Sequence, residues 1–152
     1  MAAPNPALDI PNLLYSYAEA IDRADFEAAA ALFDHGRIVA AGHVIEGREA
    51  IAALWRQWLK LYPCGTPRTR HLITNPLIRV ADDGLSASCR SQWTVLQAAP
   101  GFALQVVATG GYDDRFVVID GVWAFAERRY ARTDLVGDSS AHTRQPLVET
   151  ER

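Results

Sequence analysis

The segment Leu85–Gln97, LSASCRSQWTVLQ, alternates with a period of two. Ala87, Cys89, Ser91, Trp93 and Val95 share one side, and Ser88, Arg90, Gln92 and Thr94 share the other. Such alternation predicts a strand with one face on a core and one face outward. Turn signals bound it, Asp82-Asp83-Gly84 before and Pro100-Gly101 after. Strand-like stretches lie on both sides of it. Thr69–Val80 precedes it, with Asn75-Pro76 marking a bulge or an edge. Leu104–Ile119 follows, bent at Gly110-Gly111, and Asp120-Gly121 turns the chain into Val122–Arg132.

Upstream the period changes from two to 3.6. Ile10, Leu13, Leu14, Tyr17, Ala18 and Ile21 form one apolar stripe behind Asp9, an expected N-cap, with Pro11 in the first turn and Asp22 just beyond the stripe's edge. Asp25 caps a short second helix, Phe26–Phe33. Arg37–Ala41 and a return strand within Gly42–Gly47 make a small hairpin. A third helix runs from Arg48 to Tyr62, carrying Ile51, Leu54, Trp55, Trp58 and Leu59 before Pro63 and Gly65 stop it. Three helices followed by a run of antiparallel strands indicate an α+β fold, with the helices on one face of the sheet. A strongly curved, mostly antiparallel sheet wrapped on those helices makes a cone-shaped α+β barrel, whose interior is the expected site of chemistry. The whole chain, 1–152, reads as one domain, with a core of about 9–134 and a polar tail, 135–152, lying over the surface or a partner.

Composition narrows the class of function. A 152-residue chain with 49% hydrophobic and 22% charged residues can build a core without staples. A net charge of −3 lacks the basic face of a nucleic-acid binder, so no nucleic-acid partner is expected. No uncharged apolar run approaches a membrane span, the start MAAPNPALDI has no signal-peptide pattern, and two cysteines make no disulfide framework. These features point to a cytoplasmic location and no membrane partner. No P-loop, dinucleotide fingerprint or nucleophile elbow is present. His35, His43, His71 and His142 are dispersed and make no metal-binding motif, so neither metal nor cofactor is expected.

Two polar residues stand out by context. Asp22 ends an amphipathic helix beside its buried stripe, and His71 sits in a strand among Leu72, Ile73 and Leu77. A carboxylate beside an imidazole fixes its tautomer and leaves the other nitrogen free as a general base. From spacing alone two readings stand for each: a local turn carboxylate or a partner, a satisfied core histidine or a base.

The ordered set LLYSYAEAIDRADFEAAAALF, GRIVAAGHVIEGREAI, TRHLITNPLIRV and GVWAFAERRYARTDL covers about Ile10 to Asp134 and resembles the SnoaL-like branch of the nuclear transport factor 2-like superfamily. That branch is similar to scytalone dehydratase, the dehydrochlorinase acting on hexachlorocyclohexane, and the bile-acid dehydratases. The resemblance implies a cone fold and a cofactor-independent lyase. In such an enzyme an Asp/His pair abstracts a proton from a small hydrophobic, often cyclic substrate. The alternatives are an isomerase, a polyketide-cyclase-type enzyme, or a non-catalytic binding or assembly module of the same fold. Position by position, the resemblance implies Asp22 and His71 as the pair, Tyr17 as the helix tyrosine of Y-x4-D, and Arg132 as the last-strand arginine. Val95 stands where the bile-acid enzymes carry a further carboxylate, so substrate identity does not transfer. Asn75, four residues after His71, shares its sheet face if no bulge intervenes, and could bind a substrate carbonyl. Trp55 and Trp93 are candidate walls of the substrate site. A homodimer or homotrimer is expected through the strands Leu85–Gln97 and Leu104–Ile119.

Overall fold

The computed structural model describes residues 3–151. Its elements are, in order, α1 (Pro6–Asp22), α2 (Phe26–Ala31), β1 (Arg37–Ala40), β2 (His43–Glu46), α3 (Arg48–Trp58), β3 (Thr69–Val80), β4 (Ser86–Ala99), β5 (Phe102–Ile119) and β6 (Val122–Val136). The six strands form one curved sheet in the order β2-β1-β6-β5-β4-β3. Every neighbouring pair is antiparallel except β1 with β6. The fold class is therefore α+β, with the helices against one face of the sheet.

The first helix begins earlier than Asp9. The Asn5 side chain accepts from the Ala7 N–H, and the Asp9 carboxylate accepts from the Asn5 N–H at 2.7 Å, so Asn5 is the cap. Pro6 then occupies the first helical position, where its missing N–H costs nothing. Five of the six stripe residues, Ile10, Leu14, Tyr17, Ala18 and Ile21, are 6% exposed or less, and Leu13 is half-buried at the margin. Asp25 caps the second helix through its carboxylate on the Ala28 N–H. The third helix stops at Trp58, short of Tyr62. There the chain turns extended, and Leu59 pairs with Thr143 of the C-terminal segment.

The curvature of the sheet has a local cause. Register shifts interrupt the β3–β4 ladder once, the β4–β5 ladder twice and the β5–β6 ladder three times. Each bulge bends its strand and reverses which residues face the core. The inner face carries Ala87, Cys89, Ser91, Val95 and Gln97 from β4, Tyr112, Asp114 and Phe116 from β5, and Trp123, Phe125 and Arg128 from β6, all buried. An ion pair lies among them. Arg128 Nε and Nη2 donate to the two carboxylate oxygens of Asp114 at 2.9 and 2.7 Å, and both side chains are fully buried. The guanidinium also lies 4.2 Å from the centre of the Tyr17 ring and 3.9 Å from that of Tyr112. Burial works against its charge, but Asp114 outweighs that and keeps Arg128 protonated.

The C-terminal tail is part of the body. The β6 strand runs on to Val136, and Gly137 donates its N–H to Val107. The following strap then crosses the end of α3, with Lys60 N–H donating to the His142 carbonyl and Arg144 N–H to that of Trp58. Its own Ser139, His142 and Thr143 are buried. The tail's polar composition, which suggested a surface cover, reflects this dense hydrogen bonding.

Breaking the Asp114–Arg128 pair leaves a buried guanidinium without its counter-charge. Asp114→Asn is expected to lower unfolding free energy by about 3–5 kcal/mol, as measured by urea denaturation.

Candidate active site

Asp22 is the last residue of α1, and β3 passes directly over it. Three groups of β3 donate to its carboxylate: the Thr69 hydroxyl to Oδ1 at 2.7 Å, the His71 backbone N–H to Oδ2 at 2.8 Å, and His71 Nδ1 to Oδ1 at 2.6 Å. Both side chains are enclosed, at 8% and 7% exposure for His71 and Asp22. Burial raises the energy of the Asp22 carboxylate, yet the donors from His71 and Thr69 outweigh it and hold the carboxyl below its ordinary range. An ionised acceptor at Nδ1 fixes the proton on that nitrogen. The His71 Nε2 lone pair is then free, the arrangement a general base needs.

A second histidine faces the first. The His142 ring, carried on the C-terminal strap, lies 6.2 Å from the His71 ring, edge to face at 61°. It is 5% exposed, and its Nδ1 has no hydrogen-bond partner among the described residues. Burial, reinforced by His71, pushes the imidazole down to about 4, against the pull of Asp22. The Gln97 amide holds the strap in place, donating to the Ala141 and Pro67 carbonyls at 2.9 and 3.0 Å. Sequence reasoning missed His142. The residue stands alone in a polar tail, and the contacts of that tail with the end of α3 and with Gln97 bring it over the site.

Tyr17 lies deeper in the barrel. Its hydroxyl is 2.8 Å from that of Tyr130, which also accepts from the Trp55 indole N–H at 2.9 Å. Burial pushes the Tyr17 hydroxyl well above its ordinary range, so it stays protonated. Two hydroxyls share one hydrogen bond here, so one hydroxyl hydrogen of the pair remains for another acceptor. Trp55 packs in the core against Tyr17 and Phe26, and Trp93 lies at the inner wall beside Tyr112.

Two expected site residues lie elsewhere. A Cβ on Gly110 would meet the Trp93 ring at 2.2 Å, whereas one on Gly111 would meet Arg132 Nη1 at 2.5 Å. Successive strand residues face opposite ways, so Arg132 covers the outer face. Its Nε donates to Asp134 there at 3.0 Å. The cause is the bulge between Gly111 and Tyr112, which pair with Arg132 and Tyr130 and leave Ala131 extra. The inward arginine is Arg128. A bulge between Thr74 and Leu77 also intervenes after His71. Asn75 sits in it at φ +52° and donates to exposed Gln92 across the outer face at 2.8 Å. It therefore does not share the side of His71.

Two open surface grooves are separate from this site. One includes Arg79, Arg90, Asp113, Arg115 and Arg129, and the other Asp34, Arg37, Glu46 and Arg48. Neither includes Asp22 or His71, and Glu127 pairs with Arg37 and Arg129 between them. No group of three or more His, Cys, Asp or Glu able to hold a metal occurs among the described residues. No helix among them is long and apolar enough to cross a membrane.

Comparison with known proteins adds the family. Residues 7–129 match the SnoaL-like domain. No curated protein matches the chain. Among solved structures, an aspartate-to-asparagine variant of Rv3472, a protein of unknown function from Mycobacterium tuberculosis, is 31% identical. That match covers 86% of this chain and 72% of the other, with a TM-score of 0.69. A protein of Novosphingobium aromaticivorans provisionally named a scytalone dehydratase is 23% identical over 94% and 93% of the two chains, with a TM-score of 0.67, and shares the fold. An NTF2-like protein with a cystatin-like fold from the same organism is 22% identical over 88% and 84%, with a TM-score of 0.66. With its helices on a curved six-stranded sheet and a family match across most of its length, the chain belongs to the SnoaL-like domain family.

Proposed function

We propose that the protein is a cofactor-independent lyase of the dehydratase or dehydrohalogenase type. The observation that carries this reading is the 2.6 Å contact between His71 Nδ1 and Asp22 Oδ1 inside the barrel. His71 Nε2 removes a proton from an activated C–H of a small, largely hydrophobic cyclic substrate. Asp22 holds the ring and stabilises the imidazolium that forms. The C–H electrons become the new double bond, and the leaving group departs with the proton from His71. Tyr17, through the hydroxyl pair it makes with Tyr130, orients a substrate oxygen at the inner end.

A second reading has its own support. Tyr17, Trp55, Tyr112, Tyr130 and Arg128 fill much of the interior. A filled barrel suits a non-catalytic binding or assembly module.

One substrate separates the two. β-Hydroxy-α-tetralone has an acidic C–H beside its carbonyl and loses water to give α-naphthol, read by absorbance. The lyase reading expects turnover above buffer and a fall of about 10²–10⁴-fold in His71→Gln, with the fold retained by circular dichroism. Wild type no faster than buffer, or His71→Gln at full rate, rejects it and leaves the module.

Asp22→Asn removes the acceptor that fixes the ring and is expected to cost about 10²-fold or more in kcat/KM. Stability gives an independent check. A carboxyl held below its unfolded value contributes stability that is complete above about pH 3.9 and lost as pH falls through the folded value. The gap in melting temperature between wild type and Asp22→Asn should therefore narrow on acidification below about pH 4.

We also propose a homodimer through the outer face of β4 and β5, extended onto β3, where Leu72 and Leu77 are 46% and 60% exposed. Light scattering should give twice the chain mass, and Leu77→Arg should halve it.

A further inference from the structure

The strap places an imidazole against the dyad, and among the described residues no group engages its Nδ1. Its surroundings define what that nitrogen can do. His142 is held by its backbone on both sides, donating to the Ser139 carbonyl and accepting from Lys60 N–H. The charged or titratable groups around it are His71 from β3, Asp22 from α1, and Lys60 and Tyr62 after α3. Asp22 is occupied by His71 and Thr69, the Lys60 ammonium donates to the Ser140 carbonyl, and the Tyr62 hydroxyl donates to that of Ala141. No carboxylate is left to pair with His142, and its burial disfavours a charge. A neutral imidazole N–H is a hydrogen-bond donor that polarises an oxygen without giving up its proton. A second unpaired polar atom marks the same place. Gln97 Oε1, on the strand position paired with Thr69, is buried without a partner while its amide nitrogen holds Ala141. Buried polar atoms without partners beside a base are a place for a polar ligand.

We propose, resting on the dyad reading above, that His142 is a second catalytic residue, donating from Nδ1 to the carbonyl oxygen of the substrate while His71 takes the proton from the adjacent carbon. The substrate class is then a carbonyl compound with a removable α-hydrogen. The two rings lie 6.2 Å apart, edge to face, so both border the same enclosed region. The α-proton moves to His71 Nε2. The C–H electrons form the enolate double bond, and the negative charge on oxygen is held by the His142 N–H. In an elimination the enolate electrons reform the carbonyl and expel the β-substituent. A leaving hydroxide takes the proton from His71 and departs as water. His142 keeps its proton throughout, so no further reactant is needed.

The test uses α-tetralone, which has the α-hydrogens but no leaving group. Its exchange in deuterium oxide, followed by NMR, reads proton removal alone. Wild type should exchange it faster than buffer, and His71→Gln should not. His142→Phe should lose about 10²-fold in kcat with little change in KM, the cost of one missing oxyanion donor. His142→Asn, whose amide nitrogen replaces Nδ1, should recover to within about tenfold of wild type. Exchange by His142→Phe at the wild-type rate overturns the role of His142 and leaves the dyad standing. Absence of exchange in wild type overturns both. Long-range proton–nitrogen NMR of the unsubstituted protein gives a readout independent of any variant's folding. A proton on Nδ1 of His142 supports the assignment, and a bare Nδ1 overturns it.

Discussion

The Asp22 carboxylate ties the helical layer to the sheet at the point where chemistry is proposed. A buried carboxylate is costly unless its lone pairs are filled, and here a hydroxyl, a backbone N–H and an imidazole N–H fill them. All three donors come from two residues, Thr69 and His71, at the start of β3. The contact therefore sets the position of that strand against the end of α1 and orients the His71 ring in one step. A helix C-terminus is a poor place for a negative charge, because the helix dipole opposes it. The donors from β3 offset that penalty, so the carboxylate is ionised by tertiary contacts that exist only in the folded chain.

The second constraint is the set of bulges. A regular antiparallel sheet would send alternate side chains of β6 inward without interruption, placing residues 128, 130 and 132 on one face. The extra residue at Ala131 breaks the series after Tyr130 and turns Arg132 to solvent. The shift after Thr74 does the same to Asn75 on β3. Sheet curvature and the identity of the inward polar residues thus have one origin. The bends that close the barrel are the positions at which face assignment by alternation fails.

This explains what could be read from the amino-acid order. The stripe Ile10–Ile21, the alternation of β4 and the turns at Gly84, Gly101 and Gly121 are local patterns, and the elements they imply are present with boundaries moved by a few residues. The inward set Ala87, Cys89, Ser91, Trp93 and Val95 was legible because β4 runs unshifted through that stretch. Asp22 and His71 come within bonding distance, which no local pattern could establish, since 49 residues separate them. Arg128, Arg132 and Asn75 could not be assigned to a face, because a bulge leaves no mark in composition. His142 was invisible for a different reason. Its position depends on a two-residue pairing between the end of α3 and the tail, a contact without periodicity.

The buried polar inventory limits what the interior can hold. Ser91 Oγ, Gln97 Oε1, Trp123 Nε1, Arg128 Nη1 and His142 Nδ1 are all enclosed and have no protein partner among the described residues. Each unsatisfied group of this kind costs about 1–3 kcal/mol, and more where it is charged. Five such atoms would disfavour a purely hydrocarbon ligand and favour one that brings oxygen atoms to meet them. They are also separated in depth. Gln97 and His142 lie with the dyad under the strap, whereas Ser91 and Arg128 lie with Tyr112 further along the sheet. An apolar ring system oxygenated at one end would satisfy the near pair and the base together.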